Sequence, residues 1–433
     1  MTAGDIIFAC ASGIGRSGVA VIRISGSGSS SVFQVLTGSP PPKPRQASLR
    51  MLYTKDKELL DKALTIYFPA PRSFTGEETV ELHIHGGPAV INGVLSALAG
   101  LQGFRPAEAG EFTRRAYRNG KMDLAEAEGL GDLITADTAA GRRQAIWQMQ
   151  GGLTAKHAEW RECLISASAL AEAELDFSDE PVPEDLEGRW KAEIFELKET
   201  LTQYLREPPI TERLNDGFRV VLVGAPNAGK SSLLNALARR EAAIVTDIPG
   251  TTRDILEVRL DLDGYPVTVV DTAGLRETSD PIEQEGVRRA YDAQSFADLI
   301  LEVQDITSPS KIPNLPENRL IFHNKLDLLS KHTGNGIAGS AKTGEGLKFL
   351  ELELTKAAKT AIEGAPQPLA TRYRHRAALE EAVAAMSRAS EAPAPELAAE
   401  DLRLASRALG RIAGVVDVED VLDRIFSSFC IGK

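Results

Sequence analysis

The sequence predicts a multidomain protein of mixed α/β and α class: an N-terminal α+β domain, a discontinuous helical bundle, and an α/β domain inserted into that bundle. The chain has 433 residues, which is more than one hydrophobic core usually serves. The chain begins with strand-like runs, which are followed by a segment with helical periodicity. A segment with apolar, strand-like runs comes next, and helical periodicity returns near the C-terminus. We assign residues 1–119 to the first domain, 120–214 and 362–433 to the helical domain, and 215–361 to the inserted domain.

The N-terminal domain is predicted from short apolar runs bounded by turns. Val19–Ile24, Ala63–Phe68 and Val80–His85 are typical of strands, and Val90–Leu101 has the length of a helix. These elements favour a compact α+β domain.

The helical domain is predicted from apolar residues at helical spacing, which we interpret as a bundle core. The three stripes are Trp160, Leu164, Ala167 and Ala171; Leu402, Ala405, Leu409 and Ile412; and Val418, Val421, Leu422 and Ile425. The proline-containing segment Ser178–Pro183 should separate two helices. Insertion of another domain into this bundle requires that the inserted domain has its chain ends close together.

The inserted domain begins with a strand and a glycine-rich turn. Phe218–Val223 is mostly apolar, and Gly224–Ser231 reads Gly-Ala-Pro-Asn-Ala-Gly-Lys-Ser, a P-loop followed by a helix that begins near Lys230. The glycines let backbone N–H groups approach phosphates. Lys230 would reach the terminal phosphates, and the Ser231 hydroxyl would bind magnesium.

Three further motifs follow in the order expected of a Ras-like P-loop GTPase. Asp271–Gly274 and Asn324–Asp327 each follow an apolar strand, and Ser340–Lys342 comes later. The Asp327 carboxylate can accept hydrogen bonds from guanine N1–H and the 2-amino group, whereas adenine offers neither donor, so the base should be guanine. The predicted GTP-binding residues are Asn227, Ala228, Gly229, Lys230, Ser231, Ser232, Thr246, Thr251, Thr252, Asp271, Thr272, Ala273, Gly274, Asn324, Lys325, Asp327, Ser340, Ala341 and Lys342.

The hydrolysis machinery departs from that of many regulatory GTPases. Leu275 stands where those proteins have a glutamine that orients the attacking water, and leucine cannot do this. The residues that remain open for this role are Glu277, Asp280, Glu283 and Glu285, with Arg253 and Arg276 as candidate arginine fingers. A solvated acidic loop is the alternative interpretation.

Cation ligands are also expected around the phosphates. Asp271 would hold magnesium directly or through water, and Thr251 and Thr252 lie where a switch loop would bring a hydroxyl to it. The Asn227 amide oxygen could coordinate a monovalent cation, although an asparagine in a turn more often stabilises the backbone.

Composition limits the function classes. A net charge of −12 and a pI near 5.2 argue against coating of nucleic acid through bulk charge. Cys10, Cys163 and Cys430 lie far apart without metal-site spacing, which favours reduced thiols in a cytoplasmic protein. Neither a signal peptide nor a membrane span is expected.

Several segments resemble the MnmE (TrmE) family of tRNA modification GTPases. The P-loop, Thr246–Asp254 and Asp271–Arg276 resemble translation-factor-like bacterial GTPases in general. The segments that narrow the resemblance to this family are Gly15–Gly26, Pro71–Glu78, Gly110–Ala116, Asn119–Asp123 and Arg424–Lys433. The resemblance spans nearly the whole chain. Ala225 departs from it, because relatives often have arginine at that position.

The resemblance implies a function that the P-loop alone does not. Family members work with the flavoprotein MnmG, in a heterotetramer, and install a carboxymethylaminomethyl or aminomethyl group on carbon 5 of the wobble uridine of certain tRNAs. The one-carbon unit comes from a tetrahydrofolate derivative (5,10-methylene- or 5-formyl-tetrahydrofolate), and glycine or ammonium supplies the amine. The N-terminal domain then resembles folate-binding domains and forms a homodimer.

The resemblance also implies roles for particular residues. The expected folate contacts are Arg23, Glu81, Lys121 and Lys433. The expected potassium ligands are Asn227, Thr246, Ile248 and Thr251, and the magnesium ligands are Ser231 and Thr252. Glu283 would orient the attacking water. A buried structural thiol is the common default for a lone cysteine such as Cys430, but the family's terminal motif favours a catalytic or substrate-facing thiol there, and the terminal residues do not fit a prenylation site.

Other interpretations stay open from the sequence alone. The protein could be a ribosome-assembly or signalling GTPase without RNA-modifying chemistry, or a folate enzyme regulated by GTP. His83 and His85 favour a structural role over a metal site, since a third ligand is lacking in the sequence nearby. A basic stretch could be a solvated helix face or contact folate or tRNA phosphates; it contains Arg105, Arg114, Arg115, Arg118 and Lys121.

Overall fold

The computed structural model describes most of the chain. The described residues are 5–13, 15–176, 186–206, 213–214, 216–240, 242–244, 257–271, 297–308, 319–329, 336–363, 370–414, 422, 425–427, 429 and 432. They divide into two compact units. Unit 1 comprises Met1–Gly131, His157–Arg161 and Ser406–Lys433, and unit 2 comprises Asp132–Lys156 and Glu162–Ala405.

Unit 1 contains a six-stranded sheet in the order β3-β4-β5-β2-β1-β6. The strands are β1 (Ile6–Cys10), β2 (Ser17–Ser25), β3 (Ser48–Tyr53), β4 (Leu59–Phe68), β5 (Thr79–Gly86) and β6 (Phe104–Pro106). Every pairing is antiparallel except β1 with β6. The three predicted strands lie within β2, β4 and β5, which confirms the α+β class.

Two helices cover one face of this sheet, α1 (Ser31–Thr37) and α2 (Pro88–Ala99). Ile22, Ile24, Leu82 and Ile84 belong to the same apolar cluster as side chains of both helices. The alternation of β2 and β5 places Arg23, Glu81 and His83 on the opposite face. The helix predicted at Val90–Leu101 is shifted by two residues, because Pro88 occupies its first position, where a missing N–H is harmless.

Two more helices follow, α3 (Glu111–Arg118) and α4 (Leu124–Thr135). Apolar side chains of this region form a cluster with C-terminal residues: Tyr117, Met122, Leu124, Ala127, Leu422, Ile425, Phe426 and Phe429. The Tyr117 hydroxyl also donates to the Gly414 carbonyl oxygen at 2.8 Å. The C-terminal residues described here therefore belong to the packing of unit 1.

The remaining long helices are α5 (Ala139–Met149), α6 (Gly152–Asp176), α7 (Leu186–Arg206), α10 (Tyr373–Glu391) and α11 (Pro395–Ala413). The predicted stripes beginning at Trp160 and Leu402 are buried in α6 and α11. In the third stripe, Leu422 is buried, whereas Val418 and Val421 lie outside the described residues, as does Ser178–Pro183.

The second sheet lies in unit 2, with strand order β12-β11-β10-β7-β9-β8. Its strands are β7 (Phe218–Val223), β8 (Glu257–Leu262), β9 (Tyr265–Asp271), β10 (Leu299–Asp305), β11 (Leu320–Asn324) and β12 (Ile337–Ala338). All pairings are parallel except β8 with β9. The helices α8 (Lys230–Ala238) and α9 (Leu347–Glu363) belong to this part, and a short 3₁₀ turn spans Leu326–Leu328.

Parallel strands bring the predicted motifs to one edge of this sheet. The P-loop follows β7, Asp271 ends β9, and Asn324 ends β11, so all three lie at carboxyl ends. The mostly apolar strands β7 and β9 are buried on both faces, as parallel sheets require.

The two chain ends of this α/β part are adjacent. Arg213, before β7, donates from Nη1 to the Ala361 carbonyl oxygen in α9 at 3.4 Å, and from Nε to Asp298 at 2.6 Å. The α/β part also contacts α5, since Ala140 N donates to Gly264 O at 2.9 Å. Both observations support insertion of a nucleotide-binding domain into a helical segment.

Candidate functional sites

The P-loop has the backbone geometry that phosphate binding needs. Gly229 has φ +94° at the N-cap of α8, and a Cβ there would lie 2.2 Å from Asn324 Nδ2. A Cβ on Gly224 would lie 2.4 Å from the Val303 carbonyl oxygen. Only glycine fits these two close approaches, and the N–H groups at the start of α8 have the placement by which helix N-termini bind anions.

Polar side chains line the phosphate end of this site. Lys230 Nζ donates to the carbonyl oxygens of Gly224 (2.8 Å) and Ala225 (3.1 Å). The Ser231 hydroxyl donates to Asp271 Oδ2 at 2.6 Å, and Asp271 is buried. A hydroxyl beside a carboxylate offers the oxygen ligands that magnesium prefers.

Asn324 connects the phosphate end with the base end. Its Nδ2 donates to Ala228 O at 3.0 Å, and its Oδ1 accepts from Ala341 N at 2.9 Å. Both groups of this buried amide therefore have partners, which fixes its orientation. The P-loop and the predicted base-binding loop are held in one arrangement by this side chain.

The base end presents an oriented carboxylate. Asp327 Oδ1 accepts a hydrogen bond from the Ser340 hydroxyl at 2.6 Å, and that hydroxyl accepts from Lys342 N at 3.2 Å. Asp327 is exposed. The carboxylate is therefore accessible to a ligand while Ser340 restricts its rotation. Ser232, also predicted, lies exposed on α8.

The remaining predicted residues of the nucleotide site lie outside the described residues. They are Thr246, Ile248, Thr251, Thr252, Thr272, Ala273, Gly274 and Glu283. Their roles with potassium, magnesium and the attacking water stay predictions.

A second candidate site lies on the sheet face of unit 1 opposite α1 and α2. Arg23 and Glu81 are paired neighbours on β2 and β5, with Nη2 and Oε1 3.1 Å apart. The Arg23 guanidinium lies 5.2 Å from the Phe74 ring centroid and 5.9 Å from that of Phe112. His83 Nε2 is 3.5 Å from Glu81 Oε2. This cluster combines a cation, a carboxylate and two aromatic rings.

Phe74 and Phe112 were not predicted as site residues. Both lie within segments that resemble the family, Pro71–Glu78 and Gly110–Ala116, so a signal was present. Their function could not be assigned because the contact with Arg23 depends on tertiary structure.

Lys121 lies beside the loop that carries Phe74. A Cβ on Gly76 would be 3.0 Å from Lys121 Cε, and Asn119 Nδ2 donates to Thr75 O at 2.7 Å. The turn before α4 is thus fixed against this loop. The other predicted residues, Lys433 and Cys430, lie outside the described residues.

The basic stretch is largely occupied by internal ion pairs. Arg105 and Arg115 both contact Glu111, at 2.6 and 3.1 Å, and Arg114 contacts Glu108 at 2.9 Å. Burial raises the pKa of Glu111, but hydrogen bonds from Arg105, the Glu108 N–H and Arg115 outweigh it and lower that pKa to about 2. These three arginines therefore form ion pairs within unit 1. Neither a solvated helix face nor a contact with folate or tRNA phosphates, the two interpretations of the sequence, predicts this arrangement.

His85 Nδ1 lies 2.7 Å from Asp61 Oδ1. Within the described part of the chain, three or more His, Cys, Asp and Glu side chains nowhere form a group able to hold a metal ion. Burial, with Glu193 and Glu196 nearby, raises the pKa of the Cys163 thiol, which disfavours the nucleophilic thiolate. Within that same part, we find no helix with the length and apolarity needed to cross a membrane.

Two protein-family models together match most of the chain. The MnmE helical domain matches residues 124–430, and the N-terminus of the GTP-binding protein TrmE matches residues 6–121. The tRNA modification GTPase MnmE of Maricaulis maris is 51% identical over 435 residues, which covers 99% of each chain. The protein of the same name from Methylobacterium sp. (strain 4-46) is 52% identical over 440 residues, covering 99% of this chain and 100% of that one.

Two solved structures each match part of the chain. The G domain of the T. maritima FeoB iron transporter is 27% identical and covers 32% of this chain and 98% of its own, with a TM-score of 0.25. Aquifex aeolicus Era Y63A bound to GDP·AlF4⁻ is 25% identical and covers 39% of this chain and 66% of its own, with a TM-score of 0.27.

Proposed function

Because the chain belongs to the MnmE family of tRNA modification GTPases, we propose that its GTP hydrolysis drives modification of carbon 5 of the wobble uridine in certain tRNAs. It is a GTP hydrolase that takes part in tRNA modification. The product would carry a carboxymethylaminomethyl or aminomethyl group, formed with the flavoprotein MnmG. The observation that carries this proposal is the Arg23–Glu81 pair with Phe74 and Phe112, a candidate folate site in the same chain as a nucleotide site.

The geometry of the sheet edge supports binding of a guanine nucleotide. The Asp327 carboxylate, held by Ser340, accepts hydrogen bonds from guanine N1–H and the 2-amino group. Backbone N–H groups at the start of α8 bind phosphate oxygens, and Lys230 exchanges its carbonyl partners for the terminal phosphates. Asn324, through its hydrogen bonds to Ala228 and Ala341, holds the phosphate end and the base end of the site in a fixed arrangement.

We propose that two cations complete this site. Magnesium would be held by Ser231 and Thr252, and potassium by Asn227, Thr246, Ile248 and Thr251. Bound cations neutralise the charge that develops on the transferred phosphoryl group, which is the role of an arginine finger in other GTPases. Glu283 would orient the attacking water.

The N-terminal cluster supports binding of a tetrahydrofolate derivative, either the 5,10-methylene or the 5-formyl form. A pterin carries amide and amino donors suited to the Glu81 carboxylate, and its flat ring suits Phe74 and Phe112. Lys121 and Lys433 would bind the anionic glutamate tail. Folate supplies the one-carbon unit, and this chain's residues bind and orient it. Cys430 would provide a catalytic thiol that faces the substrate.

The assembly we propose is a homodimer through the N-terminal domain, joined by MnmG in a cytoplasmic heterotetramer that binds tRNA. Exposed apolar side chains on the sheet of unit 1 support an interface there; Val19 is 56% and Leu49 is 59% exposed. Leu64 on β4 lies directly across from Leu49 and is 38% exposed, so these two side chains form a contiguous apolar patch that a partner could cover.

Isothermal titration of the full chain with 5-formyl-tetrahydrofolate tests the folate step. We expect Arg23→Ala to weaken binding by about tenfold or more, because a charge-assisted contact is lost. Arg50→Ala is the matched control, since Arg50 also lies 5.2 Å from a phenylalanine ring, that of Phe33. Equal affinities of the wild type and Arg23→Ala would contradict the site. Absence of folate binding in the wild type would instead favour a GTPase switch without RNA-modifying chemistry.

A further inference from the structure

Asp305, the last residue of β10, holds a residue of the base-binding motif. Its Oδ2 lies 2.5 Å from Lys325 Nζ. Its Oδ1 accepts from Thr307 N at 2.9 Å and from the Thr307 hydroxyl at 2.6 Å. Both carboxylate oxygens therefore have partners. Thr307 fixes the side chain at the end of β10, and the other oxygen binds Lys325 of the base-binding motif.

The Asp305 carboxylate is ionised at physiological pH. Hydrogen bonds from Lys325 and Thr307 lower the pKa of Asp305 to about 2. The ammonium of Lys325 therefore faces a permanent negative charge, which an asparagine of the same shape would not supply.

The contact lies where the chain turns toward the base. Asp305 is in register with Asn324 across the parallel pair β10–β11. Lys325, the next residue, has φ +69°, a left-handed conformation that a lysine rarely adopts. The 3₁₀ turn that carries Asp327 begins directly after it, and Leu328 N donates to Lys325 O at 3.0 Å. A residue in an unfavourable conformation needs surrounding contacts to keep it there.

We propose that Asp305 is a positioning residue for guanine recognition: by tethering Lys325 it stabilises the turn that presents Asp327 to the base. The proposal rests on the assignment of Asp327 to guanine. Asp305 touches neither base nor phosphate in this scheme, and it acts through the conformation of the turn. Loss of the tether should therefore impair discrimination between bases as well as affinity.

Asp305→Asn in the full chain tests the proposal, with Asp298→Asn as a matched control. Asp298 precedes the same strand and pairs with Arg213 at 2.6 Å, and the two carboxylates are similarly exposed, 17% for Asp298 and 21% for Asp305. Asp298 lies at the opposite end of β10, away from the base-binding motif. The two substitutions remove equivalent ion pairs in different places.

The measurement is the affinity for GDP and for inosine diphosphate, which lacks the 2-amino group, by competition against a fluorescent GDP analogue. We expect Asp305→Asn to weaken GDP binding by about tenfold and to reduce the preference for GDP over inosine diphosphate. Asp298→Asn should leave the affinity and the preference unchanged.

An unchanged preference in Asp305→Asn, or an equal loss in both variants, would overturn the positioning role. A wild-type protein that does not prefer GDP would overturn the Asp327 assignment and the proposal with it. A substitution Asp305→Glu separates charge from shape: partial recovery of the preference is expected if the tether acts through its charge.

Discussion

Glu111→Gln should destabilise the N-terminal region far more than the same substitution at its exposed neighbour Glu108. Glu111 is 1% exposed and binds Arg105 and Arg115, and the N–H of Glu108 also donates to it, at 2.9 Å. Glutamine keeps the shape but removes the charge, which leaves two arginines without their shared buried partner. Breaking a buried pair from one side is costly, because the remaining charge stays desolvated.

The magnitude follows from the pKa of Glu111, about 2 compared with an ordinary 4.5. A shift of that size corresponds to about 3.4 kcal/mol at most, at 1.36 kcal/mol per unit. Because Arg105 is 29% exposed and solvent screens it, we expect about 2 kcal/mol. The folded-state pKa is lowered, so this stabilisation is present above pH 4.5 and is lost as the pH falls toward 2.

Hydrogen exchange of the full chain, read by mass spectrometry on peptides spanning α3, measures this effect locally. Glu108→Gln is the control, because its side chain is 59% exposed and pairs with Arg114 at 2.9 Å. It should change the opening free energy by less than about 1 kcal/mol. The difference between Glu111→Gln and the wild type should shrink at pH 3. Equal effects of the two substitutions at pH 7 would refute the reasoning.

Four further outcomes are expected. Gly264→Ala should lower the opening free energy around α5, measured by hydrogen exchange, by about 1 kcal/mol more than a left-handed alanine alone costs, because its Cβ would lie 3.0 Å from the Ala139 Cβ. Gly103→Ala has nearly the same φ (+81° against +85°) with open space around its Cβ, so an equal loss measured locally around each glycine would exclude a contribution from the Ala139 contact. Asp327→Asn should weaken GDP binding by about a hundredfold and favour xanthosine diphosphate, measured by nucleotide competition, and retained guanine preference would remove Asp327 from the base site. Glu283→Ala should slow GTP hydrolysis while GTP still binds, and normal turnover would assign water orientation to another residue. Potassium should support much faster hydrolysis than sodium, and equal rates would discard the Asn227 proposal.

The placement of the candidate nucleotide site was largely predictable from the sequence, because its motifs are short and lie at strand ends. The P-loop, Asp271, Asn324 and Ser340–Lys342 need only the rule that carboxyl ends of parallel strands share an edge. The order of these motifs along the chain predicted the Ras-like domain, and the apolar stripes predicted the helices on either side of it.

Relations between distant segments could not be predicted in the same way. Arg105 and Arg115 read as ligand candidates, because nothing in their spacing reveals that Glu111 is buried between them. Glu302 lies fully buried in β10, where an apolar residue would be expected, and its charge is balanced by Arg319 at 2.6 Å. The role of Asp305 could not be predicted for a similar reason, since its partner Lys325 is twenty residues away, just past the end of the next strand.

The most direct test of the central claim is mass spectrometry of tRNA nucleosides from cells that lack this protein, with and without a restored copy. We predict that the aminomethyl-type wobble uridines vanish in its absence and return when the wild-type chain is restored, but return only poorly with Arg23→Ala. Unchanged nucleosides in cells without the protein would contradict a role of this GTPase in wobble-uridine modification.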